Sequence, residues 1–415
     1  MHIECGEGAD FNIFYILRAD EAVAEVWWRD IWNFPVFCVS LYRPIHYAMK
    51  ISFCITCMNR LEHLRKTLER NILDNLLEGE VEFVLLDYHS TDGLPEWVRQ
   101  HMGSYINRGL LNYYRTEEPQ HYLRSHSRNM AFRLAQGDIL CNLDADNFLG
   151  KGFARFMLDA FDREKGIFYI SSLVNRDVFG RVCLTQADYL AVRGYDEALV
   201  GYGMEDADLF DRLLKQGLEQ RVFLQPEFYG AIEHPDEQRV GEEPLLKGLH
   251  SIYLDYIDPC TTRVWMFHQD GRCEWGTLAN NRRRYHNLNH VPKGVGYCMD
   301  SRLRVVIEGE WHTGHWQDAA THVVLTGAAK ETHLAKNAQG LLLCDRLLYR
   351  VVEKEAEIEV VMTVAEALNF KQVTDTLRRE RETNPQGFGK GVVYKNFETI
   401  PILIHQQPFF PAINH

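Results

Sequence analysis

Two carboxylates, Asp144 and Asp146, stand two residues apart at the end of an apolar run formed by Ile139, Leu140, Cys141, Asn142 and Leu143. The run reads as a buried strand. Paired carboxylates in such a place are costly unless something positive sits between them. A hard divalent cation carrying a diphosphate is one candidate. An ordinary strand-end turn is the other reading, because Asp and Asn are common in turns. A second acidic group, Glu205, Asp206 and Asp208, precedes the helical pattern Leu209, Phe210, Leu213 and Leu214, which Gly217 closes. Acids at a helix start also fit simple capping, since the helix dipole favours negative charge there. Gly201 and Gly203 just before them allow a tight backbone next to a ligand. Cys54 and Cys57 form a C-x-x-C, but no second pair supplies a zinc site and no helix begins at them, so they read as two buried thiols.

The elements that must position these groups begin near Met49. Residues 51–55 form a short apolar strand, and Leu61, Leu64, Leu68, Ile72 and Leu76 repeat at helical spacing up to Gly79. Residues 81–86 are a continuous apolar strand of the kind buried on both faces. Asp87 opens a polar turn that runs to Gly93. Ser127 suits the cap of a helix through Met130, Phe132, Leu134 and Ala135 to Gly137. The strand ending at Asp144 follows. This alternation predicts a mostly parallel sheet with ligands at the carboxyl ends of its strands. The polar segments 56–60, 87–93 and 144–147 all lie at such ends and should converge.

Elsewhere the pattern is weaker. Residues 1–48 are rich in aromatic residues without a clear period, and Met49 is a candidate natural start. Beyond about residue 240 the sequence predicts short strands at 304–307 and 357–362 and a helix ending near Arg381. The basic run Arg282, Arg283 and Arg284 reads as a solvated face, with a phosphate or acceptor clamp as the alternative.

The chain has 415 residues, enough for more than one domain. We expect an N-terminal extension over 1–48, an α/β ligand-binding domain over 49–245, and a C-terminal extension over 246–415. A net charge of -13 with a pI near 5.8 argues against a nucleic-acid partner. No apolar run approaches the ~20 residues of a membrane span, and the N-terminus lacks the pattern of a signal peptide. Unpatterned cysteines agree with a reducing cytoplasm. Peripheral attachment to the inner face of a membrane is compatible with all of this.

Five motifs in order then suggest a family. They are Ile55-Thr56-Cys57-Met58-Asn59-Arg60, residues 85–93 (Leu-Leu-Asp-Tyr-His-Ser-Thr-Asp-Gly), Ser127-Arg128-Asn129-Met130-Ala131, residues 137–147 ending in Asp144-Ala145-Asp146-Asn147, and Gly201-Tyr202-Gly203-Met204-Glu205-Asp206-Ala207-Asp208-Leu209. Together they resemble the family 2 inverting glycosyltransferases of the GT-A fold. The last motif is also similar to that of the β-1,4-galactosyltransferases and chondroitin-polymerase-type enzymes. The resemblance covers residues 49–240. It implies an α/β, Rossmann-like, mostly parallel sheet flanked by helices, with a C-terminal extension of mixed α+β structure. It also implies metal-dependent transfer of a sugar from a nucleotide-diphosphate donor, a UDP-sugar, to a glycan or lipid-linked acceptor.

By this resemblance Asp146 ligates the metal, and Asp144 contacts the ribose or a metal-bound water. His234 from the loop after the Glu-Asp motif joins the metal. Mn²⁺ is the first choice and Mg²⁺ the second, because nitrogen suits manganese better. Asp206 is the general base and Glu205 binds acceptor hydroxyls. Thr56, Asn59 and Arg60 contact base and ribose, Asp87 accepts from uracil N3, and Arg128 and Arg124 face the base or diphosphate. The chain departs from the family at Cys57 and Met58, and at Tyr88 and His89. Two other readings are kept. One is a degenerate glycosyltransferase fold that only binds. The other is a sugar nucleotidylyltransferase, which the absence of glycine in residues 56–60 disfavours.

Overall fold

The computed structural model describes residues 23–27, 38–42, 49–77, 79–171, 176–285, 300–327, 331–379 and 382–405. Within the expected N-terminal extension it describes two strands, Val23–Trp27 and Cys38–Tyr42, paired antiparallel with Val23 opposite Tyr42. The aromatic residues Phe11, Phe14, Tyr15, Trp28, Trp32, Phe34 and Phe37 lie outside the described residues.

The apolar runs expected as inner strands are Ile51–Cys57 and Val81–Tyr88, and every residue of both is buried. Helices cover them because their own apolar stripes need a partner. Helix Leu61–Asp74 buries Leu61, Leu64, Leu68 and Ile72. The nine-stranded sheet runs in the order Pro401–Ile404, Gly391–Lys395, Leu111–Thr116, Val81–Tyr88, Ile51–Cys57, Ile139–Asn142, Val182–Thr185, Ile167–Ile170 and Glu219–Val222. Its four central strands are parallel. Cys57 pairs with Asp87, and Cys54 with Asn142, so the three turns after these strands lie side by side. The Leu143 amide donates to the Cys54 carbonyl at 2.9 Å, and that of Asn59 to Ser90 Oγ at 3.1 Å. The α/β architecture expected from the strand-helix alternation is the one observed.

Two expected elements differ. The helix placed after Ser127 begins at Arg124 and runs to Leu134. Extended Leu123 starts it, accepting from the Ser127 amide, and Ser127 Oγ bonds back to the Arg124 carbonyl at 3.1 Å. The strand expected at 357–362 is part of helix Lys354–Arg379. Its β-branched residues suggest a strand, but Ile358, Val361, Met362 and Ala365 fall on one helical face and are buried together.

That helix packs on an eight-stranded antiparallel sheet, ordered Leu342–Leu343, Glu331–Lys336, His322–Gly327, Val305–Asp318, Arg272–Asn280, Thr261–His268, Leu249–Asp258 and Tyr349–Val351. The chain then returns to the first sheet. Tyr394 pairs with Arg115, and Lys395 with Tyr114. Cys54 and Cys57 are buried free thiols. Among the described residues no helix is long and apolar enough to cross a membrane.

Candidate active site

The loop after Asn142 carries Asp144 and Asp146. Buried Arg181 holds this loop from below, donating to Asn147 Oδ1 and the Phe148 carbonyl, both at 3.0 Å. Residues 230–232 pair with residues 146–148: the Phe148 amide donates to Gly230, and Ile232 to the Asp146 carbonyl. This pairing delivers His234, whose Nε2 lies 2.6 Å from Asp146 Oδ2. Burial pushes the Asp146 carboxyl up, but the His234 contact and the charges of Arg60 and Arg239 outweigh it and hold the carboxyl below its ordinary range. Among the described residues no three His, Cys, Asp or Glu side chains converge as a ready metal cage. Asp146 Oδ2 and His234 Nε2, in contact with each other, still supply an oxygen and a nitrogen for a divalent cation that would take its remaining ligands from phosphate and water.

Glu205 and Asp206 open the helix Glu205–Lys215 and are both buried. Asp208 turns away and binds Arg212 at 2.7 Å, so it stabilises its own helix. Arg128, 3% exposed, reaches the acids from the neighbouring helix. Its Nη1 lies 2.8 Å from Asp206 and 3.4 Å from Glu205, and its Nη2 lies 3.4 Å from Asp144. Gly180 makes this convergence possible. A Cβ there would stand 2.9 Å from Arg128 Nη2, 3.1 Å from Asp206 and 3.4 Å from Asp144. Burial pushes the Asp206 carboxyl up, with Glu205 and Asp144 adding to it and Arg128 opposing, and leaves it at about 7. Glu205 Oε2 is buried without a hydrogen-bond partner. Both acids line a cleft of about 1010 Å³, shared with Arg124, Asp144 and the Lys354–Arg379 helix.

Gly201 and Gly203 serve packing. Both have positive φ, and a Cβ on them would meet Ala365 at 3.2 Å and Glu366 at 3.3 Å. The Lys354–Arg379 helix therefore approaches closely, and Asn369 ties the turn down through Val200 N and the Gly203 carbonyl.

The other expected contacts lie on the far side of Asp146. Thr56 Oγ1 bonds Tyr122 Oη at 2.6 Å. Asn59 Nδ2 donates to Glu242 at 2.9 Å, and Arg60 donates to the Gln238 carbonyl. Arg124 binds Glu243, and the Tyr122 amide donates to the Glu242 carbonyl. Residues 236–243 thus form a strap over the groups assigned to the nucleoside. The cavity left there, with His63, Asp146 and His234 in its wall, is only about 70 Å³, against ~300–1,000 Å³ for typical ligand pockets. Asp87 is fully buried and uses its oxygens on Ser90 N, Tyr113 Oη and Arg115 Nη1. It meets a base only if those bonds loosen.

Asp144, Asp146, His234, Glu205, Asp206 and Arg128 therefore line one connected site, with Arg128 beside the acids. Gly180, Arg181, Tyr122 and the strap were not singled out from the sequence. Gly180 and Arg181 carry no spacing signal, and Tyr122 acquires its place only through the strap.

Residues 52–191 match the model of the glycosyl transferase family 2, and residues 174–236 that of the N-terminal domain of galactosyltransferase. Both matches agree with the family resemblance read from the sequence, over residues 52–236. No curated protein matches the chain. Similar solved structures include S. aureus TarS 1-349, at 16% identity and TM-score 0.38, covering 44% of this chain and 60% of that one. The mannosyltransferase PcManGT from Pyrobaculum calidifontis, in complex with GDP-Man and Mn2+, matches at 18% identity and TM-score 0.36, covering 44% and 56%. Glucosyl-3-phosphoglycerate synthase from Mycobacterium tuberculosis, in complex with Mn2+, UDP and phosphoglyceric acid, matches at 15% identity and TM-score 0.35, covering 53% and 88%. The chain thus spans less than two thirds of the first two structures it matches.

Proposed function

We propose that this chain is a metal-dependent inverting glycosyltransferase that moves a sugar from a UDP-sugar to a hydroxyl acceptor. The observation that carries this reading is the division of the site. Asp206 faces the large cleft, Asp146 with His234 faces the strap, and Asp144 lies between them. A single displacement needs that division: a base on the acceptor side and charge neutralisation on the leaving side.

The acceptor hydroxyl gives its proton to the Asp206 carboxylate, and its oxygen forms the new bond to the anomeric carbon. The bond from that carbon to the diphosphate oxygen breaks, and the electron pair leaves with UDP. Glu205 Oε2, buried and without a partner, accepts a hydrogen bond from an acceptor hydroxyl and orients it. Arg128 keeps Asp206 close to the pKa that suits a base at neutral pH. Asp146 and His234 would hold the metal, with Asp144 leaning toward the ribose. Bound Mn²⁺ or Mg²⁺ would supply charge neutralisation for the departing diphosphate. The nucleoside takes the place of the strap beside Thr56, Asn59 and Arg60. The buried free thiols agree with a cytoplasmic setting.

A thermal-shift screen of nucleotide sugars with and without Mn²⁺ tests this. UDP-sugars at ~100 times their Kd should stabilise the protein by ~2.7 kcal/mol, and only with metal. No response to any nucleotide sinks the reading. The filled nucleoside side favours one alternative, a fold that binds sugar without turnover. Mn²⁺-dependent hydrolysis of a UDP-sugar separates the two.

A further inference from the structure

A second cavity, of about 890 Å³, lies between the antiparallel sheet and the first turns of helix Lys354–Arg379. Leu254, Val264, Leu278 and Val305 make its apolar lining. Tyr256 and Tyr349 also line it, 56% and 57% exposed, with ring centroids 5.9 Å apart. Asp258, Arg350 and Glu353 stand beside them.

This cavity adjoins the catalytic cleft. Glu359 and Thr363, one turn apart, line both. On one side of that ridge Ile358, Met362 and Glu366 face the acids, and on the other Ala356 and Val360 face the second cavity. Adjacent residues split in the same way: Arg282 and Arg304 line the cleft, Arg283 and Val305 the second cavity. The catalytic cleft alone has the volume of a large small-molecule site. Two adjoining cavities, of about 1010 and 890 Å³, suit an extended chain that crosses the ridge between them. Exposed tyrosine rings present flat apolar faces with a polar tip, and carboxylate and guanidinium groups surround them. That combination matches a sugar ring, which offers a C–H face and a rim of hydroxyls.

We propose that the second cavity is an acceptor subsite for an oligosaccharide. The terminal unit lies at Asp206, and the preceding units cross the Glu359 and Thr363 ridge to rest on Tyr256 and Tyr349. The proposal rests on the transferase reading above and names the acceptor that reading leaves open.

The test uses the full chain with UDP and Mn²⁺ on a glycan array of linear oligosaccharides, from monosaccharide to octasaccharide. Two variants accompany it: Tyr256→Ala with Tyr349→Ala, which removes exposed rings, and Ala356→Trp, which fills the cavity from the helix. The expected result is binding that grows with length beyond the disaccharide and falls about tenfold or more in both variants. UDP-sugar hydrolysis in water should stay at the wild-type rate in each. Binding independent of length, or unchanged in the variants, overturns the subsite. A silent array with intact hydrolysis also overturns it and leaves the transferase reading standing. Length-dependent binding without hydrolysis supports the subsite and removes the transferase reading. Capture by vesicles containing polyprenyl phosphate, lost in Ala356→Trp while the array is silent, assigns the cavity to a lipid and overturns the oligosaccharide.

Discussion

Arg128 is the residue on which the acidic cluster depends. Asp144, Glu205 and Asp206 converge within its reach; half-buried Asp144 also meets solvent and Glu205 also meets Arg124 at 3.5 Å, so the buried Asp206 depends on it most. Asp206→Asn keeps the shape and removes the proposed base, so transfer should fall ~10²–10⁴-fold while UDP binding, measured by calorimetry, persists. Normal turnover in that variant removes Asp206 as the base. Asp206, the proposed base, is ionised above about 7, where burial has placed it against the pull of Arg128, so the rate should rise with pH through that value. Loss of the guanidinium in Arg128→Met removes the lowering influence. The rising limb should then move to higher pH, and urea denaturation should show ~3–5 kcal/mol lost. Arg128→Lys keeps a charge and should leave the limb nearer its original place; identical profiles for both variants would deny the electrostatic role. Gly180→Ala sets a methyl 2.9 Å from Arg128 and 3.1 Å from Asp206. Its kcat should drop with little change in UDP affinity. The acids themselves were legible in the sequence, because strand-end and helix-start positions have local patterns. Arg128 was singled out too, but as a contact to base or diphosphate; its pairing with these acids was not legible, because the contact between Arg128 and Asp206 joins residues 78 apart.

At the scale of elements, the strap and the long helix are the parts that local pattern missed. Residues 236–243 have too short a helix to show a period, and their order comes from partners such as Asn59, Tyr122 and Arg124. A strap that occupies the donor side taxes donor binding by the cost of displacing it. Glu242→Ala removes the bond to Asn59 at 2.9 Å, and UDP with Mn²⁺ should then bind several-fold tighter in calorimetry. Unchanged or weaker binding would mean that the strap does not compete. The long helix was read in part as a strand, because Ile358, Val360 and Val361 are β-branched. Packing overrides that preference. Its Asn369 satisfies Val200 N at 3.1 Å and the Gly203 carbonyl at 2.8 Å. Asn369→Ala should cost ~1–3 kcal/mol in urea denaturation and lower kcat, since it frees the turn that aims Glu205 and Asp206. The glycine pair was visible in the sequence, but its reason was not: the backbone passes close to a helix from residues 365 and 366.

At the scale of the whole molecule, the α/β core was legible because its strands are continuous apolar runs joined by short helical repeats. The antiparallel sheet was not, since its strands are half exposed and mix polar and apolar positions. Least predictable was the return of the chain to the first sheet. Tyr394 and Lys395 pair with Arg115 and Tyr114, and the Tyr113 amide donates to Asn396 at 2.9 Å. Removing residues 390–415 should leave Leu111–Thr116 as an open edge and yield aggregated protein, read as the soluble fraction on expression. A soluble, monomeric product would show that the edge needs no cover.

This late pairing also sets a timetable for synthesis. Translation proceeds at ~5–20 residues per second, so strand Leu111–Thr116 waits roughly 15–50 s on the ribosome for its neighbour. During that interval the nascent edge is open to pairing with other strands. A chain that stops before residue 391 lacks the strand that covers this edge, so its first sheet stays unfinished.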